Sequence, residues 1–192
     1  MQKNHPMTTR DAIIQVADHL IRDKGYNAFS FKDISNAIGI KTASIHYHFP
    51  TKTDLGIATI KGHIERLEIL KAELENKNPL AKLEGFFSIY TAVKSENKVC
   101  IVGSLATDLH TVEEGIQKEL KVLTENILEW VTEILEEGKA KNEFAFQVSP
   151  RTKALLIITN MLAIVQLSRL TKADDFTLVK ESIIQELKPK TE

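Results

Sequence analysis

The sequence predicts an all-α protein, in which an N-terminal three-helix head continues into a C-terminal helical bundle of a dimer with roughly nine helices per chain. Apolar residues recur at helical spacing through most of the 192 residues, and no strand pattern is longer than four residues. The stretch from Pro150 or Arg151 to about Leu170 is apolar on nearly every side. Such a helix must be buried all round, and a second copy of the chain is the natural cover. A central helix within one monomer is the alternative.

Composition favours a folded chain that works inside the cell. Hydrophobic residues make up 43% of the sequence, which is enough to bury a substantial core. Cys100 is the only cysteine, so the chain forms no internal disulfide, which suits a reducing cytoplasm. The first residues lack the apolar centre of a signal peptide, and the longest apolar stretch is too short to span a bilayer. We therefore expect a cytoplasmic protein without a membrane partner.

Charge is distributed unevenly along the chain. Residues 1–52 contain seven Lys and Arg against four Asp, whereas the remainder contains 18 basic and 22 acidic residues. A basic N-terminal end on an acidic body fits a protein that binds a polyanion with that end alone. The difference is modest, and chance is the other explanation.

The N-terminal helices begin at recognisable caps. Residues 1–6 read as a loose tail, after which Thr8 or Thr9 is expected to cap a first helix. Ser30 and Asp33 form an S-x-x-D variant of the capping box at the start of a second helix. Gly39 ends that helix, because glycine adopts the left-handed conformation without steric cost. A third helix after so tight a turn predicts a helix-turn-helix.

The third helix, from about Thr42 to His48, has too few apolar residues to be good core material. It ends before Pro50, since a residue that precedes proline is pushed out of helical geometry. Small and polar side chains on a short helix suit the major groove, where they reach base edges and phosphates. A helical hairpin with a solvated second helix is the alternative. The residues expected to contact DNA are Ser30, Lys41, Thr42, Ala43, Ser44, His46, Tyr47, His48 and Lys52.

Residues 42–55 resemble the recognition helix and exit of the TetR family of bacterial transcriptional regulators, and residues 29–37 resemble the preceding helix. The positions that match the family pattern are Gly39, Ile40, Ser44, Ile45, His48, Phe49, Lys52 and Leu55. Lys41 stands where the family usually has a capping Ser or Thr, so we expect Thr42 to cap the helix instead. His46 stands where Tyr is common. The resemblance implies a DNA-binding domain at 7–66 and a ligand-binding and dimerisation domain at 67–192.

The rest of the chain reads as further helices joined by short breaks. They are expected from Thr51 or Thr53 to about Asn76, at 80–95, 99–110 and 112–139, from Pro150 to Leu170, and from Asp174 onwards. The first of them leaves the head and enters the body without a linker. The residues expected at the dimer interface are Leu155, Ile158, Met161, Leu162, Val165 and Ile183.

The family resemblance also implies a small-molecule pocket in the body. Candidate lining residues are the bulky ones that a simple bundle does not need: Phe86, Phe87, Tyr90, Cys100, Trp130 and Phe144. Their apolar character suits a hydrophobic or amphipathic ligand. The alternative for each of them is an ordinary place in the core.

No pattern in the sequence argues for catalysis, a cofactor or a metal. There is no Gly-rich phosphate loop, no H-E-x-x-H and no cysteine cluster. His46 and His48 lie two apart on a helix and point in different directions, which makes them a poor metal pair. We expect a dimeric, ligand-responsive DNA-binding regulator, most simply a repressor of a palindromic operator. A small-molecule-binding or interaction protein that keeps the helix-turn-helix as a scaffold is the rival, and an enzyme is a distant third.

Overall fold

The computed structural model describes residues 7–172 and 174–189, so the predicted tail at 1–6 lies outside the described residues. The helices are α1 (Thr9–Lys24), α2 (Phe31–Ile38), α3 (Thr42–His48), α4 (Lys52–Leu74), α5 (Pro79–Ser95), α6 (Ile101–Thr107), α7 (Glu114–Ala140), α8 (Pro150–Leu167) and α9 (Asp175–Leu187). The described residues contain no strand, and the predicted all-α class is confirmed. No helix in this part of the chain is long and apolar enough to cross a membrane.

The chain divides into two compact units whose limits differ from the predicted domains. The first unit is made of the described residues of Met1–His63 and Ile101–Lys121, and the second of those of Ile64–Cys100 and Val122–Glu192. The division therefore falls inside α4 and inside α7. Sequence order placed 101–121 in the C-terminal domain, but this segment packs with the N-terminal helices. The functions assigned to 7–66 and 67–192 remain predictions.

The first unit is built around α1. It packs against α2, α3 and α6 and buries one apolar stripe completely, at Ile13, Ala17 and Ile21. The hydroxyl of Ser104 in α6 donates a hydrogen bond to the carbonyl of Ile21 at 2.6 Å. A buried hydroxyl needs such a partner, and this one ties α6 to the end of α1.

Helix α6 is shorter than the sequence predicts, because the residues after Thr107 turn towards the corner between α1 and α2. There the Asp108 carboxylate accepts the Tyr26 backbone N–H at 2.9 Å. The Asn27 amide donates to the hydroxyl of Thr111 at 2.7 Å. These bonds join positions more than 80 residues apart in the chain, so helical periodicity alone gives no sign of them.

In the second unit α8 packs against α5 and α9, and the loop between α7 and α8 is anchored by Phe144. The Phe144 ring lies directly on Gly138, where even a Cβ atom would overlap with it. The glycine beneath it explains how the aromatic ring reaches the helix backbone. Helix α8 ends at Leu167 instead of Leu170, in a turn closed by the Ser168 N–H on the Ile164 carbonyl at 2.9 Å.

The N-terminus of α4 has a reciprocal cap. The Asp54 N–H donates to the Thr51 hydroxyl oxygen at 3.1 Å, and the Thr51 N–H and hydroxyl both donate to the Asp54 carboxylate. This arrangement satisfies helix donors that otherwise lack partners and places a negative charge at the positive helix end. Of the two predicted starts, Thr51 is therefore the right one.

We expect Thr51→Ala to lower the free energy of unfolding by about 1 kcal/mol, because the cap loses its side-chain acceptor. Urea unfolding followed by circular dichroism measures the change. Thr177→Ala serves as the control, since Thr177 is exposed in α9 and makes no side-chain hydrogen bond with a described residue. The control is expected to stay within about 0.5 kcal/mol of the wild type. Equal losses in the two variants would contradict the capping role.

Candidate functional site

The helix-turn-helix is formed by α2, a tight turn and α3. Gly39 has φ 70° and ends α2 in the left-handed conformation, as predicted. The Ser35 hydroxyl donates to the Ile40 carbonyl at 2.6 Å and closes the turn. Beneath α3, Ile45 and Phe49 are buried. These anchors fix which face of α3 remains outside.

The outer face of α3 consists of small and polar side chains. Ala43, Ser44 and His46 are exposed, and Tyr47 is 84% exposed, which is unusual for an aromatic residue. Thr42 and His48 are partly buried at the edges of this face. Helix α3 presents short side chains on one side and packs against the protein through one buried residue. Such a helix can enter the major groove.

Two contacts hold His46 in place. Its ring lies against Phe31 with centroids 4.8 Å apart, and its Nδ1 is 3.3 Å from the Pro50 carbonyl oxygen. A carbonyl only accepts, so this bond requires the proton on Nδ1. In the neutral imidazole, Nε2 is then left as a hydrogen-bond acceptor, which suits a donor group on a base edge.

A shallow cleft of about 460 Å³ lies beside Tyr47. Thr9, at the start of α1, and Ile40, in the turn, line it together with Ala43, Ser44, Tyr47 and His48. The sequence suggested Thr9 only as a possible cap and did not place it at this surface. The actual cap of α1 is Thr8, which forms a capping box with Asp11, and this leaves Thr9 beside α3.

The caps of α2 and α3 differ from each other. Ser30 donates through both its N–H and its hydroxyl to the Asp33 carboxylate at 2.7 Å, so the predicted capping box is confirmed. These bonds lower the pKa of Asp33.

Helix α3 has its N-cap at Lys41 and no side-chain cap, so the expectation that Thr42 caps it is wrong. Lys41 is exposed and has no polar partner among the described residues.

Lys52 points into the first unit. Its ammonium donates to the Phe29 carbonyl oxygen at 2.6 Å. It also lies 4.6 Å from the Tyr26 ring centroid and 4.3 Å from that of Phe29. Burial lowers its pKa. In the structure the charge is therefore bound by the protein's own carbonyl and two aromatic faces, and the predicted contact of Lys52 with DNA stays a prediction.

The residues predicted to line a ligand pocket are all buried, and most of them pack against each other. The Phe86 ring centroid lies 5.7 Å from that of Phe87, 5.3 Å from that of Tyr90 and 6.5 Å from that of Trp130. Burial, followed by the neighbouring Cys100, raises the pKa of Tyr90 well above its ordinary value. The aromatic residues form a closed cluster, and their role in ligand binding remains a prediction.

Two open clefts of the second unit are each lined by one of the predicted pocket residues. One, of about 410 Å³, lies between α4, α5 and α7 and includes Trp130. The other, of about 470 Å³, lies between α5 and α9 and includes Phe87. The lining of the first cleft is rich in charged side chains, which differs from the apolar lining that the sequence led us to expect. The second cleft also has polar residues at its edge, but Phe87, Ala92 and Ile184 contribute apolar surface to it.

The predicted dimer residues fall on two sides of α8. Met161 and Val165, with Ile183 of α9, are buried inside the chain and face its own core, and their place at a dimer interface stays a prediction. Ile158 and Leu162 are partly buried. The exposed face of α8 carries Leu155, Leu156 and Leu167 instead, 44%, 49% and 52% exposed.

Within the described residues, no group of three or more His, Cys, Asp or Glu side chains is placed to hold a metal ion.

The N-terminal and C-terminal parts of the chain each match a family model. Residues 13–59 match "Bacterial regulatory proteins, tetR family", and residues 79–177 match "Tetracyclin repressor-like, C-terminal domain".

Solved structures and characterised proteins that are similar to this chain are also transcriptional regulators. A TetR transcriptional regulator of Legionella pneumophila is 37% identical, with a TM-score of 0.84 over 94% of this chain and 98% of that one. The regulator CymR of Pseudomonas putida is 33% identical over 79 residues, which are 41% of this chain and only 39% of CymR. The transcriptional repressor KstR2 of Mycolicibacterium smegmatis is 26% identical over 73% of this chain and 70% of KstR2.

Proposed function

Because the chain belongs to the TetR family of bacterial helix-turn-helix regulatory proteins, we propose that it represses transcription by binding a palindromic operator as a homodimer. A small-molecule effector held in the second unit releases it. The observation that carries the proposal is the outer face of α3, small and polar apart from the exposed Tyr47. The similarity to a transcriptional repressor supports the direction of regulation.

The proposed contacts follow from this face. Ala43 and Ser44 are short, so α3 lies deep in the major groove, with Lys41 and His46 at its sides. Tyr47, Thr9 and Ser30 reach phosphates, which set the register of the protein without reading sequence. The operator lies in the cytoplasm, which is the proposed place of action.

Release by an effector follows from population shift. In one conformation of the dimer, the two helix-turn-helix units do not fit the two half-sites of the operator. A ligand that binds better to this conformation raises its population and thereby lowers operator affinity. The Asp108 and Thr111 contacts with the α1–α2 corner join the segment after α6 to the DNA-binding helices. We propose that they hold those helices in the DNA-binding arrangement.

Selection of binding sites from a random duplex pool tests the proposal. We expect an enriched sequence made of two inverted half-sites, whose affinity falls with salt at a slope of about −0.9 per phosphate neutralised. If no sequence is enriched, or if the affinity for DNA does not change with salt concentration, the result would favour the rival function in which the helix-turn-helix is only a scaffold.

Lys41→Ala is expected to relax the base preference at one position in each half-site. An exposed lysine beside the groove is well placed for a guanine, and such a contact is worth about 1–3 kcal/mol of discrimination. Comparing selected sites for both proteins measures the effect. Lys32→Ala is the control, because Lys32 is exposed on α2 and is expected to leave every base preference unchanged. An unchanged preference in Lys41→Ala would assign Lys41 to phosphate binding.

A further inference from the structure

The cleft between α4, α5 and α7 combines acidic side chains with the indole of Trp130. It has a volume of about 410 Å³, which admits a small organic molecule. Its lining residues are Glu68, Lys71, Ala72, Glu75, Lys82, Trp130, Glu133, Ile134 and Glu137. Four glutamates and two lysines give the lining a net formal charge of −2.

Both lysines of the cleft are already paired with carboxylates. The Lys71 ammonium lies 3.0 Å from Glu68, and the Lys82 ammonium lies 2.6 Å from Glu137. Glu137 also accepts from Lys141, at 2.7 Å, and these hydrogen bonds lower its pKa. The cleft therefore offers no unpaired cation to an anionic ligand.

The two remaining carboxylates are not neutralised in this way. Glu75 and Glu133 are exposed, and their carboxylates form no ion pair or hydrogen bond with any other described residue. Each can accept an ammonium group without breaking an existing pair. An ion pair at such a position contributes modestly, so a second feature has to add affinity.

Trp130 provides that second feature. It is only 5% exposed and yet lines the cleft, and its indole N–H donates to no described residue. An indole N–H can only donate, so this one can donate to an acceptor atom of a ligand in the cleft. Indole is also the aromatic group that attracts cations most strongly.

We infer that this cleft binds a small organic cation that carries both an ammonium group and an acceptor oxygen. The ammonium pairs with Glu75 or Glu133, and the oxygen accepts from Trp130. The statement that this cation is the effector rests on the proposed function. The binding of the cation to the cleft does not, because it needs no DNA. It replaces the hydrophobic ligand that the sequence led us to expect with a charged one.

The test uses the fluorescence of Trp130, which is the only tryptophan of the chain. Three probes share one phenol ring and differ in charge: tyramine is a cation, tyrosol is neutral and 4-hydroxyphenylacetate is an anion. Each is titrated into the 192-residue protein with excitation that only indole absorbs. We expect a saturable change with tyramine at about tenfold lower concentration than with tyrosol, and the weakest response with the anion. Equal responses to the three probes, or none, would overturn the inference.

Two variants locate the site. Glu133→Gln and Glu75→Gln keep the size of the side chain and remove its charge, and at least one of them is expected to weaken tyramine binding about three- to tenfold. Glu136→Gln is the matched control, since Glu136 is exposed on α7 outside the cleft, and it is expected to bind like the wild type. Equal weakening in all three variants would point to a general effect of negative charge and would contradict the site.

Operator binding, measured separately, distinguishes the two proposals. A protein that binds its selected operator but shows no tyramine response overturns the cation site and leaves the proposed function standing. A protein that binds tyramine selectively but no DNA supports the site and overturns the proposed function. Release of the operator by tyramine supports both.

Discussion

Replacing Leu156 by glutamate is expected to convert the protein into a monomer and to abolish tight operator binding. Leu156 lies with Leu155 and Leu167 on the exposed face of α8, and Leu170 follows in the next turn at 86% exposure. A row of half-exposed leucines on one helix is the kind of surface that a second copy covers.

The size of the effect follows from what the interface buries. Full burial of a leucine side chain contributes about 1.5–3 kcal/mol, so several half-exposed leucines on each copy supply a substantial part of the dimer's stability. A glutamate at this face would lie buried without a partner, which costs about 3–5 kcal/mol. Because a palindromic operator needs two helix-turn-helix units in one particle, loss of the dimer removes one half-site from binding.

Analytical ultracentrifugation at micromolar concentration checks the prediction, and operator affinity is measured on the same samples. Ile69→Glu is the matched control: it places the same charge at an exposed apolar residue of α4 and is expected to remain dimeric. A wild-type protein that sediments as a monomer would refute the dimer, and a dimeric Leu156→Glu variant would move the interface elsewhere.

Helix α8 also shows how far sequence reasoning reaches. Its all-round apolar character predicted that two opposite faces are buried. One of these faces is buried in the structure, where Met161 and Val165 lie in the chain's own core. Periodicity did not tell which face that would be, because both sides of the helix carry leucine, isoleucine or valine. The choice depends on packing against α5 and α9, which lie far away in sequence.

Local signals were the most reliable. The capping box at Ser30, a helix start at Thr51 and the left-handed Gly39 depend only on residues a few positions apart, and the structure contains all three. The cap expected at Thr42 is absent. The Asp108 bond to Tyr26 depends on two segments meeting in space. Neither residue carries a local pattern that would have predicted it.

The proposed effector site shows a different limit. Large apolar residues serve equally well as core and as pocket lining, so counting them selected Phe86, Phe87 and Tyr90, which pack together. Nothing in the sequence singled out the glutamates around Trp130, because a side chain's charge says nothing about the shape of the surface around it. Only the approach of α4, α5 and α7 turns them into a cleft.

Lys52 is a residue whose type suggested one role and whose surroundings give it another. A lysine in the first turn of a helix faces the positive end of the helix dipole, which is unfavourable. In the structure the Phe29 carbonyl and the rings of Phe29 and Tyr26 compensate for this. The ammonium therefore ties the start of α4 to the segment that precedes α2, and it positions the helix-turn-helix.

Lys52→Met is expected to lower the free energy of unfolding by about 1–3 kcal/mol, because the Phe29 carbonyl loses a charged donor and methionine supplies none. Operator affinity is expected to fall as well, since the helix-turn-helix is held less firmly, while the dependence of affinity on salt stays unchanged. Urea unfolding and operator binding over a range of salt concentrations measure the two effects. Lys32→Met, an exposed lysine replaced in the same way, is expected to keep wild-type stability. If Lys52 instead contacts a phosphate, the salt slope will flatten by about 1 per subunit with no loss of stability, and the positioning role is then wrong.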